Sequence, residues 1–357
     1  APFLKAMSEK GVRAKSLISS FPTMTFPNHY SIVTGMYPGH HGLVNNSFYD
    51  PQEKEFYAMY NREKVMDGKW YGGIPLWVLA EQQQMISANL FWVGSEAPVQ
   101  GIQSTYWYPF NDNMPVEKRL KVVKDWLELP EERRPHFITF YLSDVDHAGH
   151  RYGPDANETR QAVKRVDSIM KALNGIVEES KLPVNFVFVS DHGMTAVDTA
   201  NPIPVPSVID TSKFIIASMG TMVDIHAKNK EDIRQLYELL RKQQKGFSTY
   251  LNTNLPKKYY YGGRDDYFNR VGDIILIPDW PNVITNRKPI IGNHGYPSAL
   301  KDMHGIFIAW GPAFKEGVTL KSFKNVSVYP LITEILQLKY NHTIDGRLKE
   351  VRRGVGK

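Results

Sequence analysis

Apolar runs and stripes of helical period alternate along this chain in the way a layered α/β body requires. Residues 136–142 (HFITFYL) and 184–190 (VNFVFVS) are short, β-branched and aromatic. A strand covered on both faces has that texture. Between them Ala162, Val166, Ile169, Leu173 and Ile176 recur at helical spacing, and Val163, Met170 and Val177 widen the stripe. Strand, helix, strand predicts a parallel crossover. A further strand over 305–310 precedes Gly311-Pro312, and 328–338 reads as the helix behind it. The pattern predicts an α/β sandwich: a central, mostly parallel sheet flanked by helices.

From residue 205 to 290 the texture changes. Residues 221–227 and 271–277 read as strands, 230–243 as a charged amphipathic helix, and the loops are rich in Tyr, Asn, Lys and Gly. This predicts a small α+β insert over 205–290, within a core formed by 1–204 and 291–357.

Composition narrows the class without naming a ligand. At 357 residues, 42% hydrophobic and 22% charged, the chain has the make-up of a globular protein. No run approaches the roughly eighteen apolar residues of a membrane span. No signal peptide is visible at Ala1-Pro-Phe-Leu-Lys. The absence of cysteine excludes disulfides and thiolate metal sites, and suggests a bacterial protein. The net charge of +6 is spread along the chain, so no stable nucleic-acid complex is expected.

Candidate chemistry lies just past the predicted strands, where open parallel sheets bind ligands. Asp146 and His150 follow the first strand; a spacing of four lets a carboxylate and an imidazole converge across what reads as a glycine turn. Asp191 and His192 follow the second directly, and a charge at the end of so apolar a run must be paired or metal-bound. His294 stands alone between Asn293 and Gly295. Asp144 and His147 read as outward-facing neighbours of the first set.

Thr25 opens a predicted helix: Pro27 is tolerated in its first turn and Gly35 suits its end. A threonine there is ordinarily a cap. The same position also lets the free N–H groups and the dipole favour an anionic oxygen, and a bound cation would activate the hydroxyl. Asn45 and Asn46 follow a Pro-Gly-His-His-Gly turn and offer amide N–H groups to a phosphoryl oxygen. Aromatics for a base to stack on occur at Trp70-Tyr71, Trp77, Phe91-Trp92 and Tyr106-Trp107-Tyr108, with Phe26 best placed beside Thr25.

The segment 21–38 (FPTMTFPNHYSIVTGMYP) resembles the nucleophile segment of the nucleotide pyrophosphatase/phosphodiesterase family, within the alkaline phosphatase superfamily. Similar stretches are His41-Gly42, 70–77, 92–96, 131–137, 149–154, 190–194 and 305–312, so the likeness spans nearly the whole chain and is weakest over 205–290. The resemblance implies an alkaline-phosphatase-like fold and two zinc ions. It makes Thr25 the nucleophile, passing through a phospho-threonine intermediate. It assigns Asp146, His150 and His294 to one zinc, and Asp191, His192 and Thr25 to the other. Asn46 becomes the phosphate contact, and Trp107 or its neighbour Tyr106, together with Phe26, the substrate-binding rings.

The family's further aspartate ligand, in an Asp-Gly-x-Arg segment, would fall upstream of Ala1. The implied substrates are small nucleotides with phosphodiester or pyrophosphate bonds, cleaved to nucleoside 5′-monophosphates. The implied location is periplasmic or secreted; oligomeric state is left open. Alternatives are a phosphomonoesterase or a choline or lysophospholipid phosphodiesterase of the same superfamily, or a degenerate, non-catalytic binding protein.

Overall fold

The computed structural model describes residues 1–356. Two hydrogen-bonded sheets and their helices form the main body. In the first, Ser87–Leu90 is central, with Tyr106–Tyr108 and Phe137–Phe140 parallel to it on either side. The second runs in the order Val318–Leu320, Val12–Ala14, Phe307–Trp310, Phe186–Val189. There Phe307–Trp310 is antiparallel to both of its neighbours, while Val12–Ala14 and Val318–Leu320 are parallel. Parallel pairing therefore dominates the first sheet and not the second.

The predicted crossover is present, but its two strands are not hydrogen-bonded neighbours. Phe137–Phe140 pairs with Ser87–Leu90, and Phe186–Val189 pairs with Phe307–Trp310. Two helices, Asp144–Tyr152 and Asn157–Ser180, lie between them in sequence. So long a connection lets the second strand return elsewhere in the layer.

The long helix buries Val166, Ile169, Met170, Leu173 and Val177. Of these, Val166, Met170, Leu173 and Val177 pack with Leu4, Trp126 and Trp310 in one cluster. Val163, assigned to the same stripe by its spacing, is 37% exposed at the margin. Asp167, on the same helix, accepts the Leu4 N–H at 2.7 Å and the Phe3 N–H at 3.1 Å. It thereby satisfies free amides at the start of helix Pro2–Lys10, which lacks a cap of its own.

Residues 205–290 build a separate antiparallel sheet in the order Phe214–Ser218, Val223–Ala227, Ile274–Pro278, Phe247–Leu251. Helix Asp232–Gln243 packs Leu236 and Leu240 into its core. Among the described residues no helix is long and apolar enough to cross a membrane.

Candidate active site

Thr25 is the first residue of helix Thr25–Thr34, which ends at Gly35. Gly35 takes φ +68, and a Cβ there would press on the Tyr329 Cβ at 2.9 Å, so glycine is required both by conformation and by space. Starting at Thr25 leaves the first-turn amides without helical partners. One of them, Phe26 N–H, donates to Asn46 Oδ1 at 2.8 Å. That bond joins the 42–46 turn to the helix start.

Asp146 and His150 lie not in a loop but four residues apart on helix Asp144–Tyr152. The Asp-x-x-Gly-His spacing that suggested a turn is also the i, i+4 spacing that stacks side chains on one helix face. Asp144 and Asp146 in the first turn suit the positive end of the dipole. The helix carries both side chains towards His294, and the ligand atoms of Asp146, His150 and His294 lie within 4.8 Å of one another.

On the neighbouring strand end, His192 Nε2 lies 3.2 Å from Thr25 Oγ1 and 3.1 Å from Asp191 Oδ2. The His192 and His294 rings stack with centroids 3.6 Å apart. The structure thus brings together Thr25, Asn46, Asp146, His150, Asp191, His192 and His294.

The histidine tautomers follow from their partners. His150 Nδ1 faces the Gly292 carbonyl at 2.8 Å, His192 Nδ1 the Gly193 carbonyl at 2.8 Å, and His294 Nδ1 the Thr23 carbonyl at 2.8 Å. A carbonyl only accepts, so each Nδ1 carries a proton and a neutral ring has its lone pair on Nε2. His150 Nε2 and His294 Nε2 then meet at 3.2 Å as two lone pairs. Asp146 Oδ1 and Asp191 Oδ2 are buried and complete no hydrogen bond. Facing lone pairs and orphaned carboxylate oxygens are costly unless a cation lies among them. The donor set fits divalent metal ions, and zinc in particular.

Charge coupling inside the cluster has the same origin. Burial would raise the Asp191 carboxyl, but His192 and His29 outweigh it and hold it well below the usual carboxylate range. Burial would lower His192, yet Asp191 pushes it up to about 9. His294, buried and crowded by His192 and His150, is driven far below the normal imidazole range.

His29 was not singled out by its residue type, yet its Nδ1 lies 3.1 Å from Asp191 Oδ2 and 2.9 Å from the Thr25 carbonyl. Its position four residues after Thr25, on the same helix face, was the available signal. The rings packed edge-on against His29 are Trp92, at 5.0 Å, and Tyr141, at 5.1 Å. Tyr106 instead packs near Trp126 at 6.2 Å, and its hydroxyl donates to the Arg133 carbonyl. Trp107, next along the strand, takes the opposite face and pairs in register with Asn89. Phe26 packs edge-on to Tyr57 at 6.3 Å. Trp70 and Trp77 are fully buried core residues.

Residues 1–297 match the family model described as type I phosphodiesterase / nucleotide pyrophosphatase. The human ectonucleotide pyrophosphatase/phosphodiesterase family member 1 is 32% identical over 352 residues, which is 94% of this chain and 38% of that protein. A venom phosphodiesterase of Naja atra is 31% identical over 352 residues, covering 95% of this chain and 42% of the other. The chain therefore spans well under half the length of these curated relatives. Murine ectonucleotide pyrophosphatase/phosphodiesterase 5 superposes with a TM-score of 0.91 at 26% identity, covering 99% of this chain and 94% of that one. That protein has also been solved as an inactive threonine-to-alanine variant in complex with AMP.

Proposed function

The chain belongs to the type I phosphodiesterase / nucleotide pyrophosphatase family, with an alkaline-phosphatase-like fold, and from that premise we propose that it is a two-metal phosphodiesterase acting on nucleotide diesters and pyrophosphates. The convergence of Asp146, His150, His294, Asp191 and His192 beside the Thr25 hydroxyl carries this reading.

Asp146, His150 and His294 would hold one cation, and Asp191 and His192, with Thr25, the other. Bound there, divalent ions, most naturally zinc, supply Lewis-acid neutralisation of phosphoryl oxygens and lower the pKa of a hydroxyl they touch. The chain's own residues do the rest. Thr25 Oγ1 bonds to phosphorus as the ester or anhydride bond to the leaving oxygen breaks, giving a phospho-threonine that still carries the nucleoside. The helix start places amide dipoles where negative charge accumulates. Asn46 spends its carbonyl oxygen on Phe26 N–H, so its amide N–H groups remain for an equatorial phosphoryl oxygen. Water then attacks the same phosphorus, restores the Thr25 hydroxyl and releases a nucleoside 5′-monophosphate.

Phe26, Trp92 and Tyr141 border this centre and suit an aromatic base; AMP in the murine relative is in keeping with such a ligand. An extracytoplasmic location, as for the secreted and ectoenzyme relatives, and division into a catalytic core with an insert over 205–290 belong to the same proposal.

Initial rates on a nucleotide diester, an aryl monophosphate and a choline phosphodiester, with zinc present, test it. The diester should be turned over fastest. Preference for either of the others would replace this reading with a phosphomonoesterase or a lipid-type phosphodiesterase.

A further inference from the structure

A cavity of about 260 Å³ opens at the edge of the 205–290 sheet, and none of the residues placed at the Thr25 centre lines it. It is somewhat smaller than the ~300–1,000 Å³ of ordinary small-molecule pockets, so it has room for one ring rather than an extended ligand. Strand Phe247–Leu251 is the last of its sheet. Alternation sends Phe247 and Leu251 towards helix Asp232–Gln243, and Ser248 and Tyr250 to the other face, in register with Ile277 and Ile275. Ser248, Tyr250 and Ile277 form one wall there, and Pro297 and Leu300, from the segment that follows His294, add to it.

Most polar groups of this lining are free. The hydroxyls of Ser248, Tyr250 and Tyr259 and the carboxylate of Asp279 make no hydrogen bond or ion pair with any described residue. Trp280 is different. Its Nε1 donates to Thr195 Oγ1 at 2.9 Å, and the Thr195 hydroxyl donates to Asp302 Oδ2 at 2.9 Å. The indole is thus pinned by its polar edge, yet Trp280 remains 52% exposed. What it leaves uncovered is ring carbon. A large ring held in place and left open is a stacking platform.

An apolar platform beside three hydroxyls and a carboxylate matches a pyranose. The C–H face of such a sugar lies against an indole, and its hydroxyls both donate and accept. The two oxygens of Asp279 can take two neighbouring sugar hydroxyls at once. A quaternary ammonium ion would instead need several open ring faces. Those of Tyr259 are engaged, by Phe21 stacked at 4.4 Å and by the Lys258 ammonium 5.8 Å from the ring centre. That ammonium also repels a second cation.

We propose that this cavity is a binding site for a single pyranose ring, free or at the end of a glycan, with Trp280 as its stacking platform and Asp279 as acceptor for its hydroxyls.

Isothermal titration calorimetry on the whole chain, with zinc present, tests this. The probes are methyl glycosides of glucose, galactose, mannose and N-acetylglucosamine, with maltotriose as a glycan end and tetramethylammonium as the competing chemistry. At least one glycoside should bind with a dissociation constant of about 1 mM or below. Trp280→Ala should weaken that binding at least about tenfold, and Asp279→Ala about fivefold. Equal affinity for glycoside and maltotriose makes a free sugar sufficient; tighter binding of maltotriose points to a glycan end.

Absence of binding by every sugar overturns the proposal. So does undiminished sugar binding in both variants, which would put the sugar elsewhere, or binding of tetramethylammonium in place of the sugars. Asp279 is exposed, so its variant decides the matter if Trp280→Ala loses a cooperative thermal transition.

Discussion

Asp50 and Arg270 stand 220 positions apart in the chain and meet as a buried ion pair at 2.8 Å, with side chains only 4% and 5% exposed. Arg270 also donates to the carbonyls of Gly42 and Trp70 at 3.0 and 2.9 Å and lies over the rings of Phe48, Trp70 and Phe268. One guanidinium thus ties the 205–290 segment to the turn that carries Asn46. Removing either partner strands a buried charge. Asp50→Ala and Arg270→Ala should each cost about 3–5 kcal/mol of unfolding free energy, and the double variant clearly less than their sum. Urea denaturation measures this; strictly additive losses would mean the pair is not coupled.

His40 should make stability depend on pH. Burial lowers its proton affinity, but Asp345 at 2.8 Å and Asp265 at 3.2 Å outweigh that, so its pKa is raised above the ordinary 6.5. A group raised on folding contributes fully below its unfolded pKa, and the contribution fades as pH rises through the folded value. His40→Gln should therefore destabilise more at acid pH, below the ordinary 6.5, than at alkaline pH, where the contribution of the charged ring has faded. Equal losses in thermal unfolding in the two pH ranges would refute the charge-based account.

Thr25→Ala should reduce turnover of a nucleotide diester at least about a thousandfold, since it removes the atom that bonds to phosphorus. Elemental analysis should still find at least the cation of Asp146, His150 and His294, because those three ligands do not depend on that hydroxyl. Substantial turnover in the variant would take Thr25 out of its proposed role.

Zinc should stabilise the fold by relieving the lone-pair opposition between His150 and His294. At a hundredfold excess over its dissociation constant, a ligand specific for the native state adds ~2.7 kcal/mol. Calorimetry with and without zinc should therefore show a clear upward shift of the transition. In His294→Ala most of that shift should vanish. If the variant responded to zinc as strongly as wild type, the cation would be binding elsewhere.

The sequence by itself determined the local elements and the chemistry they carry. The apolar run ending at Val189 required a strand, and the residues following it required a polar destination for Asp191 and His192. Pro27 and Gly35 bracketed the Thr25 helix almost to the residue, because ring closure and positive φ are properties of single residues. Spacing alone left Asp146 and His150 ambiguous, since four positions fit a turn as well as a helix face.

Only the tertiary structure decided which side chains meet. His294 gained its meaning from Thr23 and His150, Asp191 from His29, and the turn that begins at Gly42 from Arg270. Tyr106 and Trp107, which the resemblance offers as stacking rings, sit on opposite faces of their strand, Tyr106 packing inward near Trp126. Local sequence fixes backbone conformation through interactions spanning a few residues. Long-range contacts depend on how whole layers pack, and no short stretch of the chain encodes that.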